Sequence, residues 1–189
     1  MPIPGSNVIV EGHAIVSVDG MIAAADGSMP PALRNEADWR IFQAALDVAA
    51  LVVLGRLGHT RHPNPGRKRL VLTRSVADLQ ADPDDALTTL WNPSGMEIDA
   101  VLERLDIADG VIAVTGGTGT FDLFVPYFDR FVLSEVRGLT LEGGIPCFSK
   151  GHPRFVLPGA GLEARDMEVI DRGVVQTQWV RMPGSRPVP

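Results

Sequence analysis

The chain has 189 residues, 45% of them hydrophobic, and a formal net charge of −6. That length and apolar content suit one domain with a full core, and the acidic balance argues against broad binding to nucleic acid or to an anionic membrane. A lone cysteine, Cys147, excludes an intrachain disulfide and fits a reducing, cytoplasmic compartment. The start, Met-Pro-Ile-Pro-Gly-Ser, has no basic region and no long apolar run, so no signal peptide is expected there. No apolar stretch reaches the roughly 18 residues of a membrane span. Residues 183–189 are expected to be a flexible tail, leaving a single domain over residues 1–182.

In chain order, Val8 to Val18 reads as a buried strand closed by an Asp19-Gly20 turn, and Met21 to Pro31 as a mobile loop. Asn35 has the character of a helix N-cap, with Glu36 and Asp38 in the first turn and Trp39, Phe42 and Leu46 at helical spacing. Leu51 to Leu54, ended by Gly55, is a short apolar run typical of a strand buried on both faces. Leu57 to Gly66 reads as a loop and Arg69 to Thr73 as a strand. Ile98 to Leu105 reads as a short helix, Val111 to Val114 as a strand, Phe121 to Val125 as the beginning of a helix, and Phe131 to Val136 as a strand. Arg154 to Leu157, Met167 to Ile170 and Val174 to Met182 suggest antiparallel edge strands, the last two joined by a hairpin at Asp171-Arg-Gly173. Alternation of strands and helices followed by a hairpin predicts an α/β fold with a mostly parallel central sheet, an antiparallel C-terminal edge and flanking helices.

Val111-Ile-Ala-Val-Thr-Gly-Gly-Thr-Gly-Thr-Phe121 carries the strongest chemical signal. A strand, a glycine turn and a helix start leave bare N–H groups where an anion is stabilised. The glycines allow φ > 0 and close approach of a phosphate. From Val48 to Ala77 there is no Asp or Glu, whereas Arg56, Arg61, Arg67, Lys68, Arg69 and Arg74 all fall there. Charge alone leaves two readings open, a solvated loop or a site for a small anion. A Rossmann dehydrogenase fits poorly, because the glycine turn comes late and departs from Gly-x-Gly-x-x-Gly. His59 and His62 stand i, i+3 in a Pro-containing stretch with no cysteine or carboxylate nearby, so no metal site is expected.

Several segments, in this order, resemble dihydrofolate reductase and its relatives: Ala14-Ile-Val-Ser-Val-Asp-Gly-Met-Ile-Ala23, Met29-Pro30, Ala37-Asp-Trp-Arg-Ile-Phe42, Val53-Leu-Gly-Arg56, Pro65-Gly-Arg-Lys68, Leu72-Thr73, Val114-Thr-Gly-Gly117, Phe131-Val-Leu-Ser-Glu-Val136 and Glu142-Gly143. The Ser-Val-Asp-Gly-Met-Ile-Ala segment also looks like the reductase domain of riboflavin biosynthesis, which shares the fold.

The resemblance implies roles position by position. Asp38 matches the carboxylate that holds the pterin ring and supports its protonation, and Ser134 takes the place of a threonine acting through it. His13, Met29, Phe42 and Arg67 fall at substrate positions, Arg67 matching the arginine that grips the glutamate of folate. Ala14, Gly20, Gly55, Arg56, Thr73, Arg74, Thr115, Gly116, Gly117, Thr118, Gly119 and Thr120 fall at positions implied to bind NADPH, with Arg56 and Arg74 toward the 2′-phosphate. The peptide between Gly116 and Gly117 is expected to be cis.

Independently of the family, Asp38 and Phe42 are i and i+4 and share one helix face. A carboxylate beside an aromatic suits a 2-amino-pyrimidine edge, and Asp38 is equally a first-turn residue favoured by the helix dipole. The sequence departs from the family at His13, usually apolar, at Phe121, often tyrosine, and after Met29-Pro30, where Pro31 replaces a tryptophan.

The expectation is an NADPH-dependent reductase of a pterin-like heterocycle, dihydrofolate first. The alternatives are a pyrimidine reductase of the riboflavin type and a non-catalytic nucleotide-binding protein. The resemblance allows a monomer or a homodimer.

Overall fold

The computed structural model describes residues 7–182. The N-terminal reading on residues 1–6 and the tail expected at 183–189 lie outside the described residues. In chain order the elements are β1 (Asn7–Ser17), β2 (Met21–Ala23), a 3-10 turn (Pro31–Leu33), α1 (Glu36–Asp47), β3 (Leu51–Gly55), α2 (Arg56–Arg61), β4 (Arg69–Leu72), β5 (Leu79–Ala81), β6 (Thr88–Trp91), α3 (Ile98–Arg104), β7 (Asp109–Val114), α4 (Thr118–Phe124), β8 (Arg130–Val136), β9 (Ile145–Pro146), α5 (Pro153–Gly159), β10 (Leu162–Asp171) and β11 (Val174–Arg181).

Among the described residues the main sheet has nine strands in the order β10-β11-β8-β1-β7-β3-β4-β6-β5. The pairs from β8 through β1, β7, β3 and β4 to β6 are parallel. β11 runs antiparallel to β8 and to β10, and β5 runs antiparallel to β6. The sheet is therefore mostly parallel, as expected, with an antiparallel strand at the β5 edge as well as at the C-terminal edge. The central strands read as continuous apolar runs because helices cover both faces; Val52, Val53, Ile112 and Val114 are wholly buried. The larger core lies on the face lined by Val10 and Val16, where Phe121, Phe124, Phe128, Phe131 and Phe148 pack together. The second face, under α1, has a small cluster of Leu46, Val52, Leu54, Val71 and Ala113 with Phe42 against it.

Three expectations are corrected. Met21 to Pro31 is not all loop, because Met21–Ala23 pairs with β9. The stretch after Gly55 opens with a helical turn and a half, α2, whose Arg61 donates to the Gly27 carbonyl. Arg154 to Leu157 is helical, within α5. The helix is set by Pro153 at its first turn and by the His152 ring accepting from Arg154 N–H at 3.1 Å. A short apolar run does not distinguish a strand from a buried helix by periodicity alone.

Candidate functional site

The parallel strands open their C-terminal ends on one side. Across them Val53 stands beside Val114, Val114 beside Gly12, and Gly12 beside Phe131. Two residues further on lie Gly55, Gly116, Ala14 and Leu133, and Gly55 N–H donates to the Gly116 carbonyl at 3.0 Å. Ser134 follows Leu133 directly. The glycine turn and Ser134 thus stand at one level of the sheet, with only β1 between their strands.

On the β8 side of β1, α1 starts where Asn35 accepts from Asp38 N–H at 3.0 Å, satisfying an orphan donor of the first turn. Asn35 also donates to the Asp171 carboxylate at 2.8 Å, which ties the helix start to the β10–β11 hairpin. Asp38 is half-buried and receives a hydrogen bond from the wholly buried Ser134 hydroxyl. That hydroxyl accepts from Gln176 Nε2 at 3.1 Å, so the polar chain runs Gln176 to Ser134 to Asp38. Burial pushes the Asp38 carboxyl above its ordinary value, opposed by the Ser134 hydrogen bond and the nearby His13.

Phe42, one turn along, stands with its ring centre 5.7 Å from that of His13 and 5.7 Å from that of the half-exposed Trp39. His13 is buried on β1 and bonded to Glu11 at 2.8 Å. The hydrogen bond from His13 holds the Glu11 carboxyl below the usual range despite partial burial, and Arg130 at 3.0 Å acts in the same direction. Met29 is half-buried in the preceding loop, its carbonyl accepting from Arg34 at 3.2 Å.

On the other side of β1, Arg56, Leu72, Thr73, Arg74 and Ser75 line a recess of about 310 Å³. Three residues expected to bind the cofactor, Arg56, Thr73 and Arg74, are therefore brought together. The Thr73 hydroxyl accepts from Ser75 N–H at 3.1 Å and lies 2.9 Å from the Ser75 hydroxyl.

The Gly116–Gly117 peptide is cis, as expected. Gly116 has φ +96°, and a Cβ there would lie 2.6 Å from the Phe121 ring. A Cβ on Gly119 would meet nothing within 4 Å, so the turn is open outward there. Thr115 and Thr118 spend their hydroxyls on the Val53 carbonyl at 3.4 Å and the Pro146 carbonyl at 2.5 Å, and Thr120 is buried. Gly20, with φ +82°, turns the chain after β1 where a Cβ would lie 2.8 Å from His152.

Arg67 stands apart from these groups. It precedes β4 and bonds to Gln43 Oε1 at 2.9 Å, Asn64 Oδ1 at 3.0 Å and Asp47 at 2.5 Å, beside a recess of about 430 Å³ at the opposite ends of the strands. Asp47 lies nine residues beyond Asp38 on α1, about 14 Å along the axis. Among the described residues no group of three or more His, Cys, Asp or Glu side chains could hold a metal ion, and no helix is long and apolar enough to cross a membrane.

Sequence reasoning did not single out Gln176, Glu11, Arg130 or the tether between Asn35 and Asp171. The pairing of β11 with β8 sets Gln176 beside Ser134, and that of β1 with β8 sets Arg130 beside Glu11. Such lateral neighbours leave no spacing signature along the chain.

Neither a protein-family model nor a curated protein matches the chain in sequence. Solved structures do match. RibD of Acinetobacter baumannii is similar at TM-score 0.69 and 13% identity over 95% of this chain, which spans 59% of that one. A diaminohydroxyphosphoribosylaminopyrimidine deaminase/5-amino-6-(5-phosphoribosylamino)uracil reductase of Thermotoga maritima gives 0.64 and 14% over 94% of this chain and 57% of that one. Dihydrofolate reductase from Enterococcus faecalis, complexed with NADP(H) and RAB-propyl, gives 0.62 and 21% over 92% of this chain and 96% of that one. With this sheet order, the cis Gly116–Gly117 peptide and these likenesses together, the chain has the dihydrofolate-reductase-like fold.

Proposed function

We propose that the chain is an NADPH-dependent reductase that delivers a hydride to a pterin-like heterocycle, with dihydrofolate as the first substrate to test. The observation that carries this reading is the half-buried Asp38. Its carboxyl is raised by burial and oriented by Ser134, and it shares a helix face with Phe42 one strand away from the glycine turn. A carboxyl so placed accepts hydrogen bonds from the amino and N–H groups on one edge of a pterin-like ring, while the ring packs on Phe42. The raised proton affinity brings the group toward the pH at which it can hold a proton for the ring during reduction. Ser134 and Gln176 fix the carboxyl's direction.

The residues present fit a dinucleotide. Arg56 and Arg74 bring planar donors to one recess, and the turn at Gly116, Gly117 and Gly119 admits close backbone approach. NADPH, when bound, supplies the hydride. The E. faecalis likeness, complexed with NADP(H), supports this choice of cofactor.

A second reading, reduction of a ribosylamino-pyrimidine, is favoured by the buried, hydrogen-bonded His13 beside Phe42 and by the likeness to the A. baumannii and T. maritima proteins. NADPH oxidation followed with dihydrofolate and, in parallel, with an amino-ribosylamino-pyrimidinone decides between them. Turnover of dihydrofolate alone supports the first reading, and turnover of the pyrimidinone alone overturns it in favour of the second.

A further inference from the structure

The segment from Ala24 to Pro30 joins β2 to the 3-10 turn and carries Met29. It is folded on itself. Ala24 N–H donates to the Ser28 carbonyl at 2.9 Å, and Gly27 N–H to the Ala24 carbonyl at 2.8 Å. Ser28 donates from its N–H and from its hydroxyl to the Asp26 carboxylate, at 2.8 Å and 2.6 Å. Arg34, just downstream, donates to the Met29 carbonyl. Among the described residues, a single hydrogen bond joins this segment to chain outside residues 24–34, and it runs from Arg61 to the Gly27 carbonyl. Gly27 has φ +77°, and a Cβ there would lie 3.2 Å and 3.3 Å from the two Arg61 Nη atoms. The Arg61 charge also acts on Asp26, whose carboxyl lies below its ordinary value chiefly through the Ser28 hydrogen bond.

Arg61 is the last residue of α2 and Arg56 the first, about 7.5 Å apart along the axis. Arg56 lines the recess assigned above to the dinucleotide. α2 is six residues long and has no buried residue. Such an element has little stability of its own, so what docks on it sets how firmly it is held. In the sheet, β7 with its glycine turn lies between β1 and β3. The Arg61 bond therefore links the helix after β3 to the segment after β2, elements that start on either side of that turn.

Building on the reductase reading above, we propose that Arg61 is a positioning residue that couples the two halves of the site. A dinucleotide held at Arg56 firms α2, Arg61 then fixes the 24–30 segment, and the segment presents Met29 to the heterocycle. The coupling is reciprocal, so a bound heterocycle tightens the dinucleotide by the same factor. It acts on either ring considered above, pterin or pyrimidine.

Hydrogen–deuterium exchange on the full chain, with NADP+ as the probe, reads the first step. In the wild type, NADP+ is expected to slow exchange of the peptide covering residues 24–30 about tenfold, the scale of one hydrogen bond to a charged group. In R61A, a change at an exposed position, NADP+ still binds and the melting temperature is nearly unchanged, but that slowing is lost. R61K, whose ammonium can donate to one carbonyl, keeps part of it. The second step is read by the dissociation constants of dihydrofolate and of the pyrimidinone, each with and without saturating NADP+, which has no hydride to give. NADP+ should tighten the bound ring about tenfold in the wild type and leave it nearly unchanged in R61A.

Equal protection of the segment in wild type and R61A overturns this proposal alone, as does protection absent from a wild type that binds NADP+. A tightening of the ring kept in R61A also overturns it. Failure of NADP+ to bind overturns the cofactor reading together with it. Binding of neither ring overturns the heterocycle reading together with it.

Discussion

Asn35 accepts a hydrogen bond from the backbone N–H of Asp38 at 3.0 Å, so the residue that starts α1 also sets the position of the proposed ring-binding carboxylate. Its amide nitrogen is in turn tied to Asp171 at 2.8 Å, anchoring the helix start to the far hairpin. Replacing Asn35 by Ala removes both bonds. It is expected to cost about 1 kcal/mol in urea unfolding, the usual worth of an N-cap. Turnover should fall alongside, because the first turn carries Asp38. N35S restores the cap without the tether and should recover most of the stability.

Asp38 itself is expected to show a conflict between stability and activity. Burial raises its carboxyl in the folded chain above the unfolded value, so the folded state binds the proton more tightly. Stability from that proton is full below the unfolded value and is lost as pH rises through the folded one. D38N, which is never charged, should therefore melt higher than the wild type at neutral pH. The gap should close as pH falls below the ordinary aspartate range. Thermal melts of both proteins across pH 3 to 8, as a rough span covering the aspartate range, check the sign.

Much of this was legible in the sequence. The Asn35 cap, the α1 face of Asp38 and Phe42, the apolar β3 and the glycine turn all follow from local chemistry, because caps, helical spacing and glycine turns are written in adjacent residues. The α5 segment reads as a strand because Phe155-Val-Leu157 has strand-like composition, whereas the marks of its helix start, Pro153 and the His152 cap, stand just before that run. β5 and β6 escaped notice because they are short, and Gln80 and Ala81 at the β5 edge are exposed. The second rank of the site, Gln176, Glu11 and Arg130, depends on which strands pair and in what register. The periodicity of any one strand does not carry that information.

Arg56 and Arg74 converge on one recess with Thr73 and Ser75. If that recess takes the 2′-phosphate, R56A and R74A should each raise KM for NADPH about tenfold, as expected for loss of a charge-assisted hydrogen bond. KM for NADH should be nearly unchanged. Equal loss for both cofactors would place the arginines elsewhere on the dinucleotide or outside its site.

Gly116 is held at φ +96° with the buried Phe121 ring where its Cβ would go. G116A is strained both in its backbone and against that ring, and is expected to lower the melting temperature and abolish NADPH binding. G119A, at an open position, should leave the fold intact. Calorimetry on the two variants separates a packing requirement from a ligand requirement.

The central claim is that Asp38 holds and protonates the reduced ring. The most direct test is kcat of wild type and D38N with NADPH and dihydrofolate at neutral pH, with NADPH affinity measured on the same preparations. The expected result is a loss in kcat of about a hundredfold or more, the scale of one acid–base group, with NADPH affinity unchanged. Turnover by D38N within a few-fold of wild type would contradict it.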